Sequence, residues 1–235
     1  MTWPYDLPPV TTIPDFLTRL GQIKAAINDP TDGVSCFNDL YTTITARVYQ
    51  GTQSGFFGNP AYITALDIAF ANRYLDALRD HDAGSHTPDP WAALIGRRAD
   101  HAVQSLQFAA AGVNAHINYD LPHAVLEVWQ GPQGPGPKNG AQQDTYQKVD
   151  QIFAEEMDKL RHEFETNAQK TWDKGRLDKL LNLVGDLLVD GTRDLAWQEA
   201  SHMWAFRHVG PIDDLYMKGL ELTYGEVGRG MLTAL

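Results

Sequence analysis

Three ionisable side chains stand at helical spacing in one short run, Asn114-Ala-His-Ile-Asn-Tyr-Asp-Leu-Pro-His123. Steps of four and three residues put His116, Asp120 and His123 on one face of a helix. Such a face suits two chemistries. A His and an Asp one turn apart are divalent-metal ligands for Zn, Mn or Fe, with His123 as a third ligand and Asp67, or Glu199 and His202, completing the sphere. Without a metal, the same carboxylate orients the imidazole, fixes its tautomer and poises it as a general base. The plainer alternative is a hydrogen-bonded pair that satisfies itself in the core.

The surroundings favour a special site. Between Ala102 and Leu126 the only formally charged residue is Asp120. A helix of that composition has no solvated face and belongs at the centre of the fold. A carboxylate there needs a partner, since an unpaired buried charge costs several kcal/mol. Pro122 adds to this. If the helix runs through it, the ring frees the carbonyl of Asn118; if the helix ends, Asp120 meets the negative end of the dipole. The segment Pro60 to Leu78 repeats the pattern, with Asp67, Arg73 and Asp76 as its only charges. Arg73 is thus one candidate partner for Asp120, and Asp67 a second buried carboxylate. Asn72, Asn114, Asn118, Tyr74 and Trp204 are candidates to orient a substrate.

Other motifs are weaker. Glu199-Ala-Ser-His202 has the Glu-x-x-His spacing of di-iron bundles, but those need it twice and it occurs once. His81-Asp82 is the dipeptide of metal-dependent phosphohydrolases, placed here in a polar loop. Cys36 has no basic neighbour to activate it. Trp197, Met203, Trp204 and Phe206 could wall an apolar pocket, although aromatic stripes at helical spacing usually build core. Gly228-Arg-Gly230 is too short for a phosphate loop.

These residues need helices to position them, and helical periodicity dominates the chain with no strand ladder. Pro14 opens a first helix that ends near Asn28, before the turn Asp29-Pro30-Thr31-Asp32-Gly33. A second runs from about Val34 to Tyr49, with Phe37, Leu40, Tyr41, Ile44 and Val48 inward, until Gly51 and Gly55 break it. Asn59-Pro60 caps a third that extends to about Arg79. Asp89-Pro90 starts the next, which reaches about Trp129 with a break near Ala99. The Gly/Pro segment 130–142 reads as a flexible loop. Asp144 to Gln169 is a charged amphipathic helix, and Leu177–Val189, Asp194–Val209 and Pro211–Leu232 follow. The expectation is one all-α domain over residues 1–235, a bundle of seven or eight helices around a charge-poor central helix.

Charge bounds the partners. Of the 235 residues, 19 are Lys or Arg and 30 Asp or Glu, a net charge of −11. An anionic surface without a basic patch argues against nucleic acid and anionic membrane, which leaves a small molecule. A single cysteine excludes an intrachain disulfide, and no long apolar run or signal-peptide pattern appears, so a cytoplasmic protein is expected.

The segments Asp32-Gly-Val-Ser-Cys-Phe-Asn-Asp-Leu-Tyr41, Leu66-Asp-Ile-Ala-Phe-Ala-Asn-Arg-Tyr74, Leu106 to Pro122 and Gly228-Arg-Gly230 resemble an actinobacterial family, the one catalogued as domain of unknown function 5995. Its most specific part is Asn114-Ala-His-Ile-Asn-Tyr-Asp-Leu-Pro122. The resemblance weights Asp67, Asn72, Asn114, His116, Asn118 and Asp120, and implies no activity. His116-Ile-Asn-Tyr-Asp120-Leu-Pro-His123 is also similar in kind to the zinc-binding run of helical phospholipases C and single-strand nucleases. Those proteins are secreted, use an N-terminal Trp as a ligand and carry more His-x-x-x-Asp/Glu pairs than this chain. The leading expectation is a small-molecule enzyme built on His116, Asp120, Asp67 and Arg73, hydrolase-like if a metal is held. The alternatives are a metal-free cyclase or isomerase of bacterial secondary metabolism, and a non-catalytic ligand-binding or scaffold module.

Overall fold

The Thr12 hydroxyl accepts the Asp15 amide at 3.1 Å and Pro14 occupies the first turn, so α1 (Ile13–Ile27) starts there. It stops at Asn28, which takes φ +51°, a left-handed conformation that Asn tolerates. Asp32 caps α2 (Gly33–Ser54) by accepting the Val34 and Ser35 amides. Asn59 does the same for α3 (Pro60–Asp82) through the Tyr62 amide at 3.0 Å. The structure, a computed structural model, describes residues 3–131, 136–137, 140–168 and 192–233, together with 175 and 182. The expected helix Leu177–Val189, residue 182 apart, and residues 132–135 and 138–139 of the Gly/Pro segment lie outside the described residues.

After a short 3-10 turn at Pro4–Asp6 come α1 to α3, then α4 (Asp89–Gly96), α5 (Ser105–Val113), a π-helical segment (Asn114–Asp120) and α6 (Leu121–Gln130). Beyond lie α7 (Gly140–Ala168), α8 (Thr192–Phe206) and α9 (Gly210–Met231). The stretch α5–π–α6 is one continuous rod. Counting it once, eight helices and no strands occur among the described residues. The fold is all-α.

The rod is the centre. Ser105–Val113 packs on α2, α4 and α9, the π segment on α3, α4, α8 and α9, and α6 on α3 and α8. Along it Leu106, Phe108 to Val113, Ala115, Leu121, Ala124 and Val125 are buried, as its charge-poor composition predicts. Close approach of α2 depends on Gly112, where a Cβ would lie 2.3 Å from the Phe37 ring. One apolar core joins residues from Tyr5 to Leu232, and a smaller cluster gathers Leu126, Met203 and Leu220.

Several boundaries differ from the sequence reading: α7 begins at Gly140 and not Asp144, so residues 140–142 are helix and not loop, and α8 runs from Thr192 to Phe206 and not from Asp194 to Val209. Helix α2 continues through Gly51, whose missing Cβ makes room for the Phe57 ring, and ends at Gly55 with φ +76°. Helix α3 runs on to Asp82, so His81-Asp82 is its last turn and not a loop; the Asp82 carboxylate accepts the Tyr5 hydroxyl there. The rod neither ends at Pro122 nor runs through it as plain α-helix. The proline has no N–H for the Asn118 carbonyl, and its ring would crowd that carbonyl in an α turn. The turns before it widen to i→i+5 bonding, with the Leu121 amide on the His116 carbonyl.

Candidate functional site

The π segment fixes the first pair. His116 and Asp120 meet across its wide turn, Nδ1 lying 3.1 Å from Asp120 Oδ2, both side chains buried. The same oxygen accepts the Trp91 indole N–H at 2.8 Å. A carboxylate that takes Nδ1–H leaves Nε2 as a lone-pair acceptor. Nε2 has no hydrogen-bond partner. The ring stacks on Phe70, with centroids 3.3 Å apart and planes 8° apart, and meets Tyr41 edge-on at 4.4 Å. Burial holds the imidazole below its ordinary pKa, with the Asp120 carboxylate acting in the opposite direction.

His116 lines a cavity of about 50 Å³. One water needs roughly 10–15 Å³, so the space exceeds that of a single water and suits only a small molecule. Its walls are Phe37, Leu40, Ile44 and Val48 of α2, Ile63, Leu66 and Phe70 of α3, Val113, Ile117 and Leu121 of the rod, and Val149 and Phe153 of α7. Ile44 is the one wall residue that is only half-buried. Four polar side chains join this apolar wall: Tyr41, Asp67, His116 and Arg193. In the first three the Tyr41 hydroxyl, Asp67 Oδ2 and His116 Nε2 are buried without partners.

Each of these groups is tuned by burial. Asp67 is pushed up to about 7, with Arg193 pulling the other way. The Tyr41 phenol is raised well above its usual range by burial and by the Asp67 and Asp120 carboxylates, so it keeps its proton. Burial works against the Arg193 cation, and Tyr146 and Asp150 more than offset it. Its guanidinium pairs with Asp150 and lies 4.5 Å over the Tyr146 ring, whose hydroxyl donates to the Arg193 carbonyl at 2.6 Å.

Of the residues singled out in the sequence, the structure brings His116, Asp120 and Asp67 to this centre. Arg73 is not the partner of Asp120; it reaches Glu127 at 3.4 Å and is absent from the cavity wall. Asn72 exchanges hydrogen bonds with the Val10 backbone and ties down the N-terminal segment. Asn114 donates to the Tyr224 carbonyl and accepts from Asn118, joining the rod to α9. Tyr74 packs behind His116, with ring centroids 6.3 Å apart. Trp204 lies under the Arg207 guanidinium and edge-on to Trp129, outside the cavity wall. Glu199 and His202 share the Tyr216 hydroxyl on α8 and α9.

The residues do not fit a metal ion. His123 points its Nδ1 at the Tyr119 carbonyl, 2.7 Å away, and lies outside the cavity wall because the π turn shifts the register after Asp120. Among the described residues no three His, Cys, Asp or Glu side chains converge on a common point. Two contributors were missed in the sequence. Tyr41 sits on the inward face of α2, where a tyrosine looks like any core aromatic. Arg193, in the first turn of α8, has the local signature of a solvated helix start.

Fold and site together define an all-α protein with a buried His-Asp pair opening on an apolar cavity. The chain belongs to a family of unknown function (DUF5995), whose model matches residues 13–234. No curated protein and no solved structure matches it.

Proposed function

We propose that the protein is a metal-free acid–base catalyst acting on a small, largely apolar molecule, the isomerase or cyclase type of chemistry. The observation that carries this reading is His116 Nε2, buried, unpartnered and set in the wall of the cavity while Asp120 holds the other ring nitrogen. Nε2 takes a proton from the bound molecule. Asp120 then offsets the imidazolium charge that burial disfavours, and Trp91 holds the carboxylate in line. Asp67 carries a proton that is exchangeable near neutrality, so it serves as the partner acid. Three buried polar atoms left unpaired in one cavity cost stability, which is the usual mark of a site kept for function.

Nitroethane, a five-atom carbon acid, tests the base without assuming a natural substrate. In D2O the protein is expected to speed deuterium uptake by about tenfold or more over buffer, and His116→Ala to return the rate to that of buffer. A rate for the wild type no higher than for His116→Ala overturns the reading.

A further inference from the structure

The unpartnered atoms differ in kind, and the difference identifies a ligand. The Tyr41 phenol stays protonated and is a donor. Asp67 in its protonated form presents a second O–H to the same space. His116 Nε2 is an acceptor when Nδ1–H is given to Asp120. The cavity therefore offers two hydroxyl donors and one basic nitrogen inside an apolar wall. Its charge is balanced: Arg193 is paired with Asp150, so no spare cation awaits an anion, and the guanidinium disfavours a cationic ligand beside it.

A matching molecule is neutral, carries an oxygen able to accept two hydrogen bonds, and has an acidic C–H next to it. A hydrocarbon would leave both donors unpaired, at a cost that grows in a dry site. We propose that the cavity takes a small enolisable ketone, its carbonyl oxygen accepting from Tyr41 and Asp67 and its α C–H turned toward His116 Nε2. The proton-transfer part rests on the acid–base reading above; the recognition part rests on the two donors alone. In the step, the α C–H bond breaks and its electron pair forms the C=C bond of an enolate. The carbonyl π pair moves onto oxygen, where the two donors stabilise the charge, and the proton passes to Nε2. Returning that proton to a different carbon of an unsaturated ketone shifts the double bond. Atoms and electrons balance with no further reactant.

The probes are 2-butanone and its hydrocarbon isostere 2-methyl-1-butene, titrated against the wild type, Tyr41→Phe and Asp67→Leu by NMR chemical-shift changes. The Tyr41 hydroxyl and Asp67 Oδ2 have no hydrogen-bond partner for these substitutions to break. The wild type is expected to prefer the ketone by about tenfold or more; each variant should weaken ketone binding roughly five- to tenfold and leave the alkene within about twofold. Equal binding of the two probes by the wild type, or equal loss for both in the variants, overturns carbonyl recognition. Deuterium uptake at C3 of 2-butanone in D2O is read in parallel, with loss expected in His116→Ala. Ketone preference without uptake overturns the acid–base reading and leaves carbonyl recognition standing; uptake without ketone preference does the reverse.

Discussion

Asp67 shows what the site costs. Burial raises its pKa from the ordinary 3.8 to about 7. The folded protein thus holds a proton that the unfolded chain releases between those values. The group's contribution to stability is fully present below about pH 3.8, declines as pH rises to about 7 and is level above. A shift of that size corresponds to on the order of 4 kcal/mol. Asp67→Asn, of the same shape but without the titration, is expected to be more stable than the wild type at pH 8, with the gap closing toward pH 4. Guanidinium denaturation across that range checks it, and a gap independent of pH contradicts it. Asp67, His116 and Asp120 were legible in the sequence because they interrupt helices almost without charge. Tyr41 and Arg193 were not, because a hydroxyl on an inward aromatic and a cation in a first helical turn are both commonplace; only the packing of α2 and α8 brings them to the cavity.

At the scale of elements, caps and turn residues foretold where α1 and α3 begin, and composition foretold that the rod is central. The π segment was not readable. Pro122 allowed either a stop or a kink, and the third outcome, a widened turn, depends on neighbouring helices that hold Asn114 through the Tyr224 carbonyl. It also decides the chemistry, since it keeps His116 and Asp120 together while carrying His123 away. The crossing of α2 over α5 is equally exacting. Gly112→Ala would drive a methyl into Phe37, a cavity wall residue whose ring centroid is 5.5 Å from that of His116. A loss of about 1–3 kcal/mol is expected, with a shifted His116 resonance. Gly21→Ala in α1, where a Cβ meets nothing within 4 Å, should instead stabilise by about 0.5–1 kcal/mol. Thermal and chemical unfolding of the two variants side by side separates overpacking from plain helix propensity.

Across the whole molecule the net charge of −11 is an outer feature. Acidic groups of α7 tie helices together: Arg47 of α2 reaches Glu155 and Glu156 at 2.7 and 2.6 Å, and Arg193 of α8 takes Asp150. Inside, the cavity is lined by apolar side chains and a handful of unpaired polar atoms. No described helix is long and apolar enough to cross a membrane. With no three His, Cys, Asp or Glu side chains converging among the described residues, the fold should be indifferent to metals. Dialysis against EDTA, or addition of Zn, Mn or Fe, is expected to leave the melting temperature within about 1 °C; a larger shift would indicate a tightly held ion. Everything else turns on the protonation of one ring. Long-range 1H–15N correlation of the histidine side chains at pH 7 reads it directly: His116 should be neutral, with the proton on Nδ1 and Nε2 bare, and a proton found on Nε2, alone or in an imidazolium, would contradict the account.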